Sequence, residues 1–216
     1  MSTFSRILEG TASLFIFAAI VLELFTLLGN TYDKPFLRDL YVIRLTQNST
    51  TDFIDLGLWN SCNGTDGQVL YCDIPQPAFI WTNATGIDKF TSDAFDGYSP
   101  VFQANFILYW IGVGFTLLAF VFSVMTWSNN RRFDYTKTAI VTFFGFLIML
   151  AVFCITIVMG ARIANTAFLS DTTNASHIGP ATWTTLGAMV GLLYATAFYC
   201  LSCSFRHRDT RKYDNI

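Results

Sequence analysis

Charge is what this sequence has least of. Only 13% of its 216 residues are Asp, Glu, Lys or Arg, about half the share of a soluble domain. Against that stand 53% hydrophobic residues and 22 Phe. A water-soluble core of this size cannot hide so much apolar surface, whereas a bilayer can. Cysteine is also scarce. Five Cys are too few for a disulfide-rich secreted scaffold. No strong excess of one sign exists: the net charge is −2, which excludes a general nucleic-acid binder. The aromatic content excludes disorder. Histidine occurs twice, and the topology derived below puts His177 and His207 on opposite sides of a membrane. There is no Ser/His/Asp set, no metal-ligand spacing and no glycine-rich phosphate loop. We therefore expect no enzyme, no catalytic residues, no metal and no cofactor.

What is present is four apolar runs, each near the roughly 20 residues that a span needs. They predict spans at 12–29, 104–127, 139–161 and 182–203. Two buried helices in a soluble protein would be unremarkable, but four such runs in this length are not. The first run exceeds the roughly 7–15-residue core of a signal peptide and no A-x-A site follows it, so we read it as a retained helix. The remaining segments are 1–11, a large loop 30–103, a short loop 128–138, a small loop 162–181 and a basic tail 204–216. No internal repeat or low-complexity stretch is visible.

Basic residues set the orientation. Arg6, Arg131, Arg132, Lys137, Arg206, Arg208, Arg211 and Lys212 crowd the termini and the 128–138 loop. Lys34, Arg38, Arg44, Lys89 and Arg162 are spread thinly over the other side. Both termini are expected in the cytoplasm, with the chain multi-pass in the plasma membrane. Glycosylation sequons at Asn48, Asn63, Asn83 and Asn174 all fall on the predicted outer side.

The large loop reads as a small folded domain. Tyr41 to Thr46 is β-prone, as are Phe53 to Trp59 and Gln68 to Ile74. Between the last two lies Asn63-Gly64-Thr65-Asp66-Gly67, which supplies the positive-φ residues of a tight reversal. The span 53–74 is thus expected to be a β-hairpin, ended by Pro75 and Pro77. Cys62 and Cys72 are the only Cys outside the spans. In an oxidising compartment a disulfide between them is expected, worth about 2–3 kcal/mol. The loop carries nine Asp and four basic residues, a net charge of −5. A solvated surface and a cation-attracting face are both open readings.

Leu56-Gly57-Leu58-Trp59-Asn60-Ser61-Cys62 followed by Cys72 fits the pattern G-L-W-x-x-C…C. In this and in its four-span layout the chain resembles the claudin superfamily, which includes peripheral-myelin-protein and channel-auxiliary tetraspans. The resemblance implies a transmembrane all-α four-helix bundle capped by a small extracellular antiparallel β-sheet. Gly57, Leu58, Trp59, Cys62 and Cys72 carry over as its signature. Asn30-Thr31-Tyr32 departs from the Trp that follows the first helix in vertebrate claudins, and Tyr213-Asp214-Asn215-Ile216 departs from their scaffold-binding ending. The stretch from Leu28 to Ile43, and Cys72 to Phe79, look more like the fungal PalI-type branch with its eisosome membrane proteins. PalI proper carries a long cytoplasmic tail, whereas the tail expected here is the short basic segment 204–216.

Within the spans, Glu23 is the only acid. A carboxylate at that depth must face protein or water. It is either a hydrogen-bonded structural acid or an ion or ligand site, and Arg162 is a basic side chain that snorkelling would bring toward it. Gly187, Gly191 and Ala195 form a small-residue seam for packing within one bundle or between copies. Cys200 and Cys203 sit beside Arg206 and Arg208 at the inner end of the last span, as inert thiols or palmitoylation sites.

Three functions stay open. One is a membrane-organising tetraspan that assembles laterally with itself, or contacts a wall or surface partner. Another is an auxiliary subunit of a channel, transporter or wall-synthesising enzyme. The third is a paracellular cation pore, for which Asp73 matches the acid that lines cation-selective claudin pores. Membrane lipid, a second copy, or another integral membrane protein are the partners expected.

Overall fold

A computed structural model describes residues 3–29, 31, 35–47, 50–90, 99–129, 132–170 and 174–213. Four long helices dominate: α1 (Thr3–Leu28), α3 (Ser99–Asn129), α4 (Arg132–Ser170) and α5 (Pro180–Tyr213). Each contains one of the four apolar runs, but for Gly29 at the end of the first, and each is long and apolar enough to cross a membrane. Hydroxyls inside these runs close back on their own helix. Thr142 donates to Thr138 O, Thr185 to Ala181 O and Thr196 to Leu192 O, at 2.7–2.9 Å. An i to i−4 bond satisfies the polar group without water, which is what an apolar medium demands.

Between α1 and α3 the chain forms α2 (Pro35–Arg38), β1 (Ile43–Gln47), β2 (Asp52–Leu56), β3 (Ser61–Thr65) and β4 (Gln68–Cys72), then two 3-10 turns at Trp81–Asn83 and Ile87–Lys89. Strand β5 (Asn174–Ile178) joins α4 to α5. The five strands make one antiparallel sheet in the order β4-β3-β2-β1-β5.

The hairpin differs from the one expected. Phe53 to Leu56 does not pair with the 68–72 arm. A separate strand, β3, lies between them and pairs with both. The reversal is made by Asp66 (φ 54°) and Gly67 (φ 76°) alone, two positive-φ residues as a type I′ turn requires. Asn63-Gly64 is strand, at a register irregularity. A Cβ at Gly64 would lie 2.1 Å from Gln68 O, so glycine serves close strand approach there and not the turn. Strand β5 has no alternating pattern that would announce it. It is held by pairing with β1 and by Gly179 N donating to Val42 O at 2.8 Å. At Gly179 an added Cβ would fall 2.0 Å from Tyr41 O.

The chain divides into two compact units. The helical unit comprises Met1–Glu23, Trp110–Leu150 and Gly187–Ile216. Its core includes Ala12, Ile16, Ala119, Ala195 and Tyr199, all at most 1% exposed. The sheet-bearing unit comprises Leu24–Tyr109 and Ala151–Leu186. Leu45, Ile54, Leu56, Trp81, Phe102 and Ile163 lie in its core.

Candidate functional site

In the sheet-bearing unit, Cys62 and Cys72 face each other across β3 and β4 and form the expected disulfide. It pins the edge strand β4, whose Leu70 and Tyr71 are exposed. The signature residues fix the sheet to the chain around it. Trp59 donates its indole N–H to Leu27 O at 2.6 Å, one of the last-turn carbonyls of α1 that lack a helical partner. Its ring stands edge-on to Phe106 at 5.0 Å. Gly57 O accepts the Trp81 indole N–H at 2.9 Å, and Leu58 is half-buried. The motif is thus a joint between helix end, sheet and the Trp81 turn. Trp81 itself was not singled out from sequence; nothing separates it there from the other aromatics.

Four of the six described acids of the large loop accept side-chain hydrogen bonds. Asp73 accepts from Ser61 Oγ, from Thr85 N at 3.0 Å and from Thr85 Oγ1. That is a carboxylate locking two segments together. Asp52 accepts from Thr65 at 2.6 Å and Lys89 at 3.1 Å. These bonds, the Thr65 one first, hold its carboxyl below the ordinary value. Asp66 accepts from Thr51 at 2.6 Å.

Asp55 is fully buried and opposes Arg44 in the β1–β2 register. Arg44 grips it with two bonds, Nε to Oδ1 at 2.6 Å and Nη2 to Oδ2 at 2.7 Å. The guanidinium lies 4.5 Å from the ring centres of both Tyr41 and Phe53, a cation held between two aromatic faces. Burial pushes the Asp55 carboxyl up, and the bonds from Arg44 pull against it. The bonds to Asp55 raise the Arg44 value, so the cation persists. The sequence signal for this pair is a lone base and a lone acid on adjacent β-prone stretches.

A second polar group sits at the helix ends of this unit. Thr26 and Thr184 share a hydrogen bond of 2.7 Å, and Asn105 donates to Thr156 at 3.3 Å. Thr26, Asn105 and Thr156 border, with Trp81 and Thr185, a cavity of about 30 Å³, room for a water or two.

In the helical unit, Glu23 is wholly buried and accepts from Thr116 Oγ1 at 2.8 Å. A hydroxyl network joins Ser13, Ser123 and Tyr199, with Tyr199 donating to Ser123 at 2.7 Å. The small-residue seam of α5 lies against α1. A Cβ on Gly191 would come 3.3 Å from Phe15 O and 3.7 Å from Ala19 Cβ, and one on Gly187 3.0 Å from Leu22. Ala195 is 0% exposed. This close approach packs the seam against α1 within one chain. Cys200 is exposed, while half-buried Cys203 lies 3.6 Å from Thr136 Oγ1. Arg162 is exposed on α4.

The sequons divide by environment. Asn83 is exposed, Asn63 is half-buried in β3, and Asn174 is buried. Asn48 lies outside the described residues. Among the described residues no group of three or more His, Cys, Asp or Glu is placed to hold a metal.

The family model of the SUR7/PalI family matches residues 8–198. Among curated proteins, none matches the chain.

Proposed function

The chain belongs to the SUR7/PalI family, a family of claudin-like four-span membrane proteins, and on that premise we propose that it is a non-enzymatic organiser of plasma-membrane domains that works by lateral assembly. In this reading both termini face the cytoplasm and the stapled sheet faces outward, toward wall or surface contacts. The observation that carries it is the surface of α4. The most apolar stretch of that helix is 22% buried by the rest of the chain, against 33% for α3 and 39% for α1 and α5. Ile140, Phe143, Phe144 and Leu147 are all exposed on it. A helix so little covered by its own chain has most of its side wall open to lipid and to neighbouring membrane proteins. The alternative cation-pore reading rests on Asp73, whose carboxylate accepts from Ser61 and Thr85.

Purification in mild detergent tests the proposal. Self-assemblies containing several copies are expected. Recovery of single copies, each bound to one large channel, transporter or synthase, would replace it with the auxiliary-subunit function.

A further inference from the structure

We propose that Asn83, in Asn-Ala-Thr, carries an N-linked glycan and that Asn174, in the acceptor sequence Asn-Ala-Ser, does not. The inference rests on the outward orientation of the sheet-bearing unit given under the proposed function. A glycan attaches to the side-chain amide nitrogen. The donor is an oligosaccharide linked through pyrophosphate to a membrane lipid. The bond from the sugar C1 to the pyrophosphate oxygen breaks, a bond from C1 to Nδ2 forms, the amide loses one proton, and the lipid pyrophosphate leaves. The product has a bulky polar group on a nitrogen that keeps one N–H. An occupied site therefore needs an Nδ2 with open space in front of it.

Asn174 fails this requirement. It is 7% exposed, opposes Gln47 at the start of β5, and donates from Nδ2 to Ala167 O at 3.0 Å. A sugar on that buried nitrogen has no room beside Ala167 and would pull the first residue of β5 out of the sheet. The folded protein and a glycan at Asn174 exclude each other. Asn63 is intermediate, half-buried in β3 with Nδ2 donating to Thr85 O at 3.2 Å.

Asn83 meets it. The short turn Trp81–Asn83 is nailed down on its inner side: Trp81 is 4% exposed and bonded to Gly57 O, and Ala84 is 4% exposed. Asn83, the last residue of that turn, is exposed. The backbone is fixed by its neighbours and the side chain is left outside, so a glycan costs no packing. The Thr85 hydroxyl of the same sequon is bonded to Asp73 in the folded state.

Site occupancy is read by enzymatic deglycosylation in heavy-oxygen water, which converts each glycan-bearing Asn to labelled Asp, followed by peptide mass spectrometry of the surface-delivered protein. Labelled Asp is expected at position 83 and not at 174. Asn83→Gln should remove one glycan's worth of mass. Ser176→Ala destroys the second sequon while keeping Asn174 and its bond, and should leave the mass of the glycoprotein unchanged. An unmodified Asn83, or labelled Asp at 174, would overturn the proposal. An epitope inserted after Gly67, in the exposed reversal, separates this from a failure of orientation. If antibody reaches it on intact cells and Asn83 is bare, the glycan proposal alone falls. If antibody reaches it only after permeabilisation, the orientation falls and the glycan proposal with it.

Discussion

Arg44→Met is expected to destabilise the sheet-bearing unit by about 3–5 kcal/mol. The loss comes less from the missing attraction than from what stays behind. Asp55 is 0% exposed and both of its oxygens are bonded to Arg44. Removing the guanidinium leaves a buried carboxylate with two bonds lost, and removes the cation from between Tyr41 and Phe53. The effect has a sign in pH. Burial already pushes Asp55 up, and in the variant nothing from Arg44 pulls it down. For a carboxyl raised on folding, stability is fully present below its unfolded value, near 3.8, and is lost as pH rises through the folded value. The deficit of Arg44→Met should therefore be small in acid and grow toward neutral pH. Arg44→Met/Asp55→Leu should recover most of the loss and abolish that pH dependence. Thermal unfolding of the detergent-solubilised protein across pH measures both. A single variant as stable as the parent at neutral pH would show that the pair carries no weight.

Loss of the Cys62–Cys72 bridge is expected to cost about 2–3 kcal/mol, since the bond closes a short loop and restricts the unfolded chain. The separation is 10 residues. The consequence is local first. Strand β4 is an edge strand, paired with β3 alone, and its pairing is interrupted at Asn63/Gly64. Without the bridge, an edge with exposed Leu70 and Tyr71 frays and becomes a surface for mispairing. Cys62→Ser, Cys72→Ser and the double variant should lose equal stability, because all three remove one bond, and all should be retained in the secretory pathway. Proteolysis between residues 62 and 72 and surface delivery report the two effects. Normal delivery of the single variants with an intact 62–72 segment would contradict the role assigned to the staple.

The helices were legible because the signal is long. Some 20 apolar residues in a row admit few other structures, and each run lies inside one long helix but for Gly29, the turn residue after α1. The sheet was legible in part. Ile43 to Thr46 and Phe53 to Leu56 are rich in β-branched and aromatic residues. Strand β3 was not read, because Ser61-Cys62-Asn63-Gly64-Thr65 is polar and contains the dipeptide most typical of turns. Its pairing is decided by neighbours on both sides, and Gly64 is there because Phe53 and Gln68 leave no room for a Cβ. Strand β5 depends on β1, more than 120 residues earlier, and no local property of Asn-Ala-Ser-His-Ile predicts that pairing. The same limit applies to sites. Asp73 reads as a free acid in sequence. Its donors are Ser61, across the hairpin, and Thr85, beyond the two prolines. The seam on α5 was visible as a spacing, but the surface it faces, Phe15 and Ala19 of α1, was not.

For the proposed lateral assembly, that geometry favours α4 over α5 as the face. Packing of Gly191 against α1 is intramolecular, so a bulky substitution there would strain the helical unit before it touched any partner. The exposed row Ile140, Phe143, Phe144 and Leu147 offers side chains that can be exchanged without opening a core.

Counting copies in the intact membrane tests lateral assembly most directly. With a fluorescent protein fused to the C-terminus and expressed in place of the untagged chain, stepwise photobleaching of individual surface spots reports how many copies each contains. The account predicts slowly moving spots with several bleaching steps, falling toward single steps when Phe143 and Phe144 are both replaced by Ala at unchanged surface level. Single-step, freely diffusing spots for the unmodified protein would contradict it.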